Sequence, residues 1–166
     1  MKYGITGHTS GIGKELYNKL NSIGFSRSNG FDIRDKTHRA QIINDVVNCD
    51  VFINNAESNY GQTELLVDYW KQYHNHNKTI INIGSAIGQP DVILPEHMII
   101  ELMDYHMQKT VLRTTCEKLQ SYNSKLKVKY IWFGYVGTDR ILKKYPHFTE
   151  SDYITLDAAV KIILDE

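Results

Sequence analysis

Tyr105 and Lys109 stand four residues apart in a stretch of helical periodicity, so their side chains leave one face a single turn apart. That pairing can do proton chemistry. A free phenol titrates near 10 and is a poor acid or base at neutral pH, but an adjacent ammonium favours the phenolate. Ser85, at the end of an apolar run, adds a hydroxyl able to hydrogen-bond an oxygen on which charge develops. A plain structural reading stays open beside this one. In a chain with 11 tyrosines, Tyr105 can be a core residue of an amphipathic helix and Lys109 a solvated one.

A second constellation lies at the N-terminus. Residues 2–6 read as a strand, and Thr6-Gly7-His8-Thr9-Ser10-Gly11-Ile12-Gly13 follows before a helical pattern over 11–20. Glycines so placed allow a tight turn, backbone approach to a pyrophosphate and close helix–sheet packing. The helix start then offers free N–H groups and partial positive charge to an anion. Taken alone, the glycines are equally consistent with a simple strand-to-helix turn.

Further residues follow in order: Asn54-Asn55-Ala56 after a later strand, Ser85 after the next, Tyr105-x-x-x-Lys109, and Phe133-Gly134-x-Val136-x-Thr138. Together with T-G-x-x-x-G-x-G they resemble the short-chain dehydrogenase/reductase family, over residues 2 to about 164. The resemblance implies an NAD(P)-dependent oxidoreductase that interconverts a carbonyl and an alcohol. Tyr105 would be the proton donor, Ser85 would hold the substrate oxygen, and Lys109 would lower the tyrosine pKa and bind the nicotinamide ribose. Gly7, Thr9, Ser10, Gly11, Ile12, Gly13, Asn55, Ala56, Gly134, Val136 and Thr138 would line the cofactor.

Cofactor choice turns on the end of the second strand, where an acidic residue would bind a ribose 2′-hydroxyl. Ser26-Arg27-Ser28 stands there instead, and a guanidinium between hydroxyls suits a phosphate monoester. NADP(H) is therefore favoured, with NAD(H) open and a solvated loop arginine as the plain alternative. Asp32 resembles the family aspartate that contacts the adenine amino group, and is also an ordinary turn residue.

Several features depart from the family. Glu57 follows Asn-Asn-Ala where glycine is usual. Only about twenty residues separate Ala56 from the next strand, room for one helix rather than two, and Asn59 is the nearest candidate there for the family's catalytic asparagine. The segment between Ser85 and Tyr105 is longer than usual, so residues 89–98 are expected as a wall or lid. The usual seventh strand is lacking. Tyr145, Phe148 and Tyr153 could line a substrate site or close the core beneath a loop.

Positioning these residues requires alternating strands and helices, hence βαβ units and a parallel sheet. The pattern predicts strands at 2–6, 22–27, 30–33, 51–54, 79–83 and 128–133. Helices are expected at 11–20, 36–48 (capped by Asp35), 63–74, 97–122 and 156–165. The expected fold is a single α/β domain over 1–166, a Rossmann-like doubly wound parallel sheet of about six strands with helices on both faces. Gly7, Asn55, Ser85 and Gly134 then all fall at the carboxyl ends of strands, where such sheets bind ligands.

Composition narrows the rest. Lys+Arg and Asp+Glu are both 19, which gives no electrostatic case for nucleic acid or an anionic membrane. No apolar run reaches the length of a membrane span, and the start of the sequence lacks signal-peptide character. Cys49 and Cys116 and the seven histidines show no metal or redox spacing, so no metal is expected. A cytoplasmic protein with a small-molecule carbonyl or alcohol substrate is the expectation, with homodimer or homotetramer open through the 97–122 helix. The competing class is a catalytically inactive NADP(H)-binding regulatory or scaffold protein of this fold.

Overall fold

A computed structural model describes residues 1–165; Glu166, the last residue of the expected domain, lies outside the described residues. Five parallel strands form one sheet: β1 (Tyr3–Thr6), β2 (Ser22–Phe25), β3 (Val51–Asn54), β4 (Thr79–Ser85) and β5 (Lys127–Phe133), in the order β2-β1-β3-β4-β5. The strands start in step, with Tyr3 opposite both Ser22 and Val51, Val51 opposite Thr79, and Thr79 opposite Lys127. Their carboxyl ends therefore finish together, and the order reverses between β1 and β3. A doubly wound sheet binds its ligands at that switch point.

The helices are α1 (Gly11–Lys19), α2 (Lys36–Asp45), α3 (Gly61–Tyr73), α4 (Ile99–Gln120), α5 (Asp139–Lys144) and α6 (Leu156–Asp165). Strand alternation sends side chains to two faces. Phe52 and Ile80 pack with Ile42, Ile43 and Val46 of α2, Leu65, Leu66 and Tyr69 of α3, and Leu112 and Cys116 of α4. On the other face, Ile5, Val51, Ile53, Ile81 and Ile83 pack with Leu16 of α1 and Val160 and Ile163 of α6. This is the expected Rossmann-like layering, with helices on both sides.

Asp35 caps α2 as its position predicts, accepting from Thr37 N (2.7 Å) and His38 N (3.3 Å). One predicted strand is absent, which leaves five rather than six. Residues 27–29 form a short 3-10 turn closed by Gly30 at φ 91°, and Phe31 N returns to Ser26 O at 2.9 Å. Phe31 and Ile33 look strand-like because both plug the core: Phe31 meets Phe25 edge-on at 5.0 Å, and Ile33 is buried. Helix α5 was not anticipated, although its signals are present. Thr138 caps it, Asp139 lies in the first turn, and Lys143 and Lys144 lie in the last.

Leu65 is fully buried where α3 meets the sheet. Leu65→Ala is expected to cost about 2–5 kcal/mol in urea unfolding, by lost burial plus a cavity.

Candidate active site

The glycine turn is shaped by two constraints. Gly7 has φ 71°, a conformation that side chains resist, and a Cβ on Gly13 would fall on the Gly7 carbonyl and the Asn55 amide. Helix α1 can therefore start directly behind β1. Ser10 makes no side-chain cap, and the first-turn N–H groups have no intrahelical acceptor.

In front of this turn lies a cleft of about 530 Å³. Gly7, Thr9, Ser10, Gly11 and Ile12 line it at the turn, Arg27 and Asp32 after β2, Asn55, Ala56 and Glu57 after β3, and Thr138 and Arg140 at α5. Ten residues expected at a cofactor thus line one cleft at the switch point. Gly13 supports it from behind. Val136 does not line it; it is a core residue bridged to Ile154. Gly134 instead borders a separate open groove beside Trp132 and Ile154, of about 400 Å³.

Each wall has a definite role. The Asn55 side chain donates to Thr6 O (3.1 Å), and the buried Thr6 hydroxyl accepts from Asn55 N (3.0 Å) and Ala56 N (2.9 Å). The Arg27 guanidinium makes no hydrogen bond or ion pair among the described residues, and its charge acts on Asp32. Its neighbours are fixed: Ser26 and Ser28 share a hydrogen bond of 2.8 Å, and Asn29 Oδ1 accepts from Ser26 N at 2.7 Å. Asp32 is engaged by Arg34 through Nε and Nη2 (2.5 Å), which holds its carboxyl down at about 2. Much of its accepting capacity is taken.

Ser85, Tyr105 and Lys109 sit beside the Glu57–Arg140 end of the cleft. Both of those charges act on Tyr105, and Glu57 also acts on Lys109. Burial pushes the Tyr105 phenol above its ordinary value; a Ser85 hydrogen bond and the Arg140 charge oppose that, while Glu57 adds to it. The expectation that Lys109 lowers this pKa is corrected here. The Lys109 ammonium lies 5.6 Å from the Tyr105 ring centroid and donates elsewhere, to Gln62 Oε1 at 2.8 Å and more distantly to Ile83 O at 3.5 Å. It is 4% exposed, and burial pulls its pKa down to about 8, with Glu57 opposing.

Asn59 does not join this group. It is exposed at φ 48°, outside the cleft lining, and the amide that meets Lys109 belongs to Gln62, three residues on. Sequence reasoning passed over Gln62 and Arg140. The signal for Gln62 was a polar residue on the inward face of α3, next to Leu65 and Leu66. Residues 89–98 lead into α4 through a 3-10 turn at 96–98 and do not line the cleft. Tyr145 and Phe148 stack at 4.7 Å with Tyr135 edge-on to both, a satellite cluster outside the two cores; Tyr153 covers Gly137. Among the described residues no cluster of three or more His, Cys, Asp or Glu could hold a metal, and no helix is long and apolar enough to cross a membrane.

Solved structures share this fold. A short-chain dehydrogenase from Burkholderia cenocepacia in complex with NADP aligns over 98% of this chain and 84% of its own, at 16% identity and TM-score 0.76. A small-chain dehydrogenase in complex with NADPH aligns over 99% and 90%, at 17% identity and TM-score 0.72. A 3-alpha-hydroxysteroid dehydrogenase from a Pseudomonas species, complexed with NADH, aligns over 99% and 88%, at 17% identity and TM-score 0.62. The chain has the short-chain dehydrogenase fold. No protein-family profile and no curated protein matches the sequence.

The buried lysine makes stability depend on pH with a definite sign. Its folded pKa lies below the 10.5 of an ordinary lysine, so the unfolded chain binds more protons between about 8 and 10.5. The Lys109 contribution is least favourable below 8 and improves as pH rises through that window. The stability of wild type relative to Lys109→Met is expected to rise by on the order of 3 kcal/mol between pH 7.5 and 10.5 in urea titrations. A flat difference would show that the ammonium is not buried.

Proposed function

We propose that this protein is an NADP(H)-dependent oxidoreductase that interconverts a carbonyl and an alcohol on a small molecule. The observation that carries the reading is one crevice. An anion-ready glycine turn lies between β1 and α1, the Arg27 guanidinium lies after β2, and a serine, a tyrosine and a lysine stand outside the lining, beside its Glu57–Arg140 end. The dinucleotide fits what is present. Gly7, Thr9, Ser10, Gly11 and Ile12 line the cleft at the turn, and helix N–H groups suit a pyrophosphate. Arg27 between Ser26 and Ser28 favours a 2′-phosphate. The likeness to structures holding NADP and NADPH supports the cofactor class, and the NADH complex leaves NAD(H) open.

A bound nicotinamide supplies the hydride. The chain's own residues supply the proton and the geometry. Burial keeps the Tyr105 phenol protonated at neutral pH, so it can donate to an oxygen that becomes negative as the carbonyl is reduced. The Ser85 hydroxyl, hydrogen-bonded to Tyr105, would donate a second hydrogen bond that orients the oxygen and stabilises its charge. Once Tyr105 has given up its proton, the Arg140 charge and the Ser85 hydrogen bond stabilise the phenolate. Lys109 would hold the nicotinamide ribose. Thr138 faces the turn across the cleft, its methyl 3.2 Å from where a Gly11 Cβ would stand.

Tyr105→Phe separates this reading from that of an inactive binder. Assayed by NADPH oxidation against a panel of aldehydes and ketones, the variant is expected to lose about 10²-fold or more in kcat. Its NADPH Kd should stay within about twofold, because the hydroxyl contributes to proton transfer rather than to cofactor burial. Retained turnover in the variant would remove Tyr105 as the acid. NADPH binding without turnover of any carbonyl by wild type would favour the regulatory or scaffold reading.

A further inference from the structure

Beneath Lys109 lies a fully buried amide network. The Gln62 side chain, 3% exposed on the first turn of α3, donates from Nε2 to Asn54 O (2.7 Å) and Ile83 O (2.9 Å), bridging the ends of β3 and β4. The Asn54 side chain returns a hydrogen bond to Gln62 O (2.8 Å) and another to Asn82 Oδ1 (2.9 Å). These bonds settle which way the amide faces. Turned over, its oxygen would meet two carbonyl oxygens and its NH2 would meet an ammonium, so Oε1 must point at Lys109 Nζ.

We propose that Gln62 is the positioning residue of the Lys109 ammonium: its strand-locked amide anchors Nζ through a neutral acceptor and leaves the lysine proton transferable instead of fixed in an ion pair. The inference rests on the reading of Lys109 given above. A carboxylate at this point would hold the proton tightly, and an apolar side chain would leave a buried cation without its nearest acceptor. The remaining surroundings of Nζ agree. Strand β4 offers the Ile83 carbonyl and α4 offers the Tyr105 ring. The one carboxylate acting on Nζ is Glu57, which is exposed on the loop after β3. The depressed Lys109 pKa is what a neutral cage of this kind produces.

The test needs no turnover. Protein labelled with 13Cε-lysine and 15N-glutamine is titrated by NMR from pH 6 to 11 without cofactor, with Lys109→Met and Gln62→Met assigning the signals. In wild type the Gln62 side-chain NH2 and Lys109 Cε are expected to move with one shared midpoint, below that of the other lysines. In Gln62→Glu the Lys109 midpoint is expected to rise by about one pH unit or more, since a carboxylate replaces a neutral acceptor. A Gln62 amide that stays silent while Lys109 titrates overturns the proposal. So does an unchanged Lys109 midpoint in Gln62→Glu, even if thermal stability falls. Should Gln62→Glu fail to fold, the wild-type shared titration decides alone. Adding NADPH to the same sample keeps the two readings apart: a shared titration without NADPH binding leaves Gln62 in its role and removes the oxidoreductase.

Discussion

The buried Thr6 hydroxyl accepts the backbone N–H groups of both Asn55 and Ala56, and that stitch between β1 and β3 sets the geometry of the crevice. Each bond contributes about 1 kcal/mol net. Their consequence for shape exceeds that energy. They fix the two strand ends on either side of the switch point, and Asn55 then reaches back to Thr6 O and closes the bridge. Gly13 seats α1 against this same bridge, within reach of the Gly7 carbonyl and the Asn55 amide. The helix N-terminus, the turn and the β3 loop are thus tied together by the Thr6 hydroxyl and the Asn55 side-chain amide. Substrate chemistry can be placed against such a unit with little reorganisation.

The opposite end of the crevice is organised by charge. Lys109 is a cation held where water does not reach, and the groups nearest its Nζ are carbonyl oxygens, not carboxylates. That choice of partner matters, because an ion pair would offset the desolvation and raise the lysine pKa, whereas neutral dipoles offset it only in part. The phenol of Tyr105 is pushed the other way by the same burial. Desolvation therefore moves the two groups apart, lowering the lysine pKa to about 8 and raising the phenol above its ordinary value. Glu57 and Arg140 at the mouth supply one charge of each sign to trim that balance.

Most of the fold was legible because its signals are local or periodic. The Asp35 cap, the apolar runs of β3 and β4 and the 22-residue α4 follow from capping and alternation alone. Residues 30–33 misled because Phe31 and Ile33 are apolar for a different reason: they plug the core from a turn that Gly30 initiates. At the site, the glycine turn, Asn55, Arg27 and the Tyr105–Lys109 pair were readable from type and spacing. Gln62 was not, since its role depends on two strand carbonyls and on a lysine 47 residues away. Asn59 lies exposed and outside the cleft lining. Its backbone turns at positive φ before α3 begins, and only a residue inside the helix can face the sheet.

The central claim is that the crevice over Gly7 and Gly13 holds a phosphorylated dinucleotide. Equilibrium titration of the purified protein with NADPH and, in parallel, NADH, followed by nicotinamide fluorescence, tests it most directly. The account predicts saturable binding of one NADPH per chain, tighter than NADH, with the preference for NADPH lost in Arg27→Ala. Binding of neither dinucleotide would contradict the account.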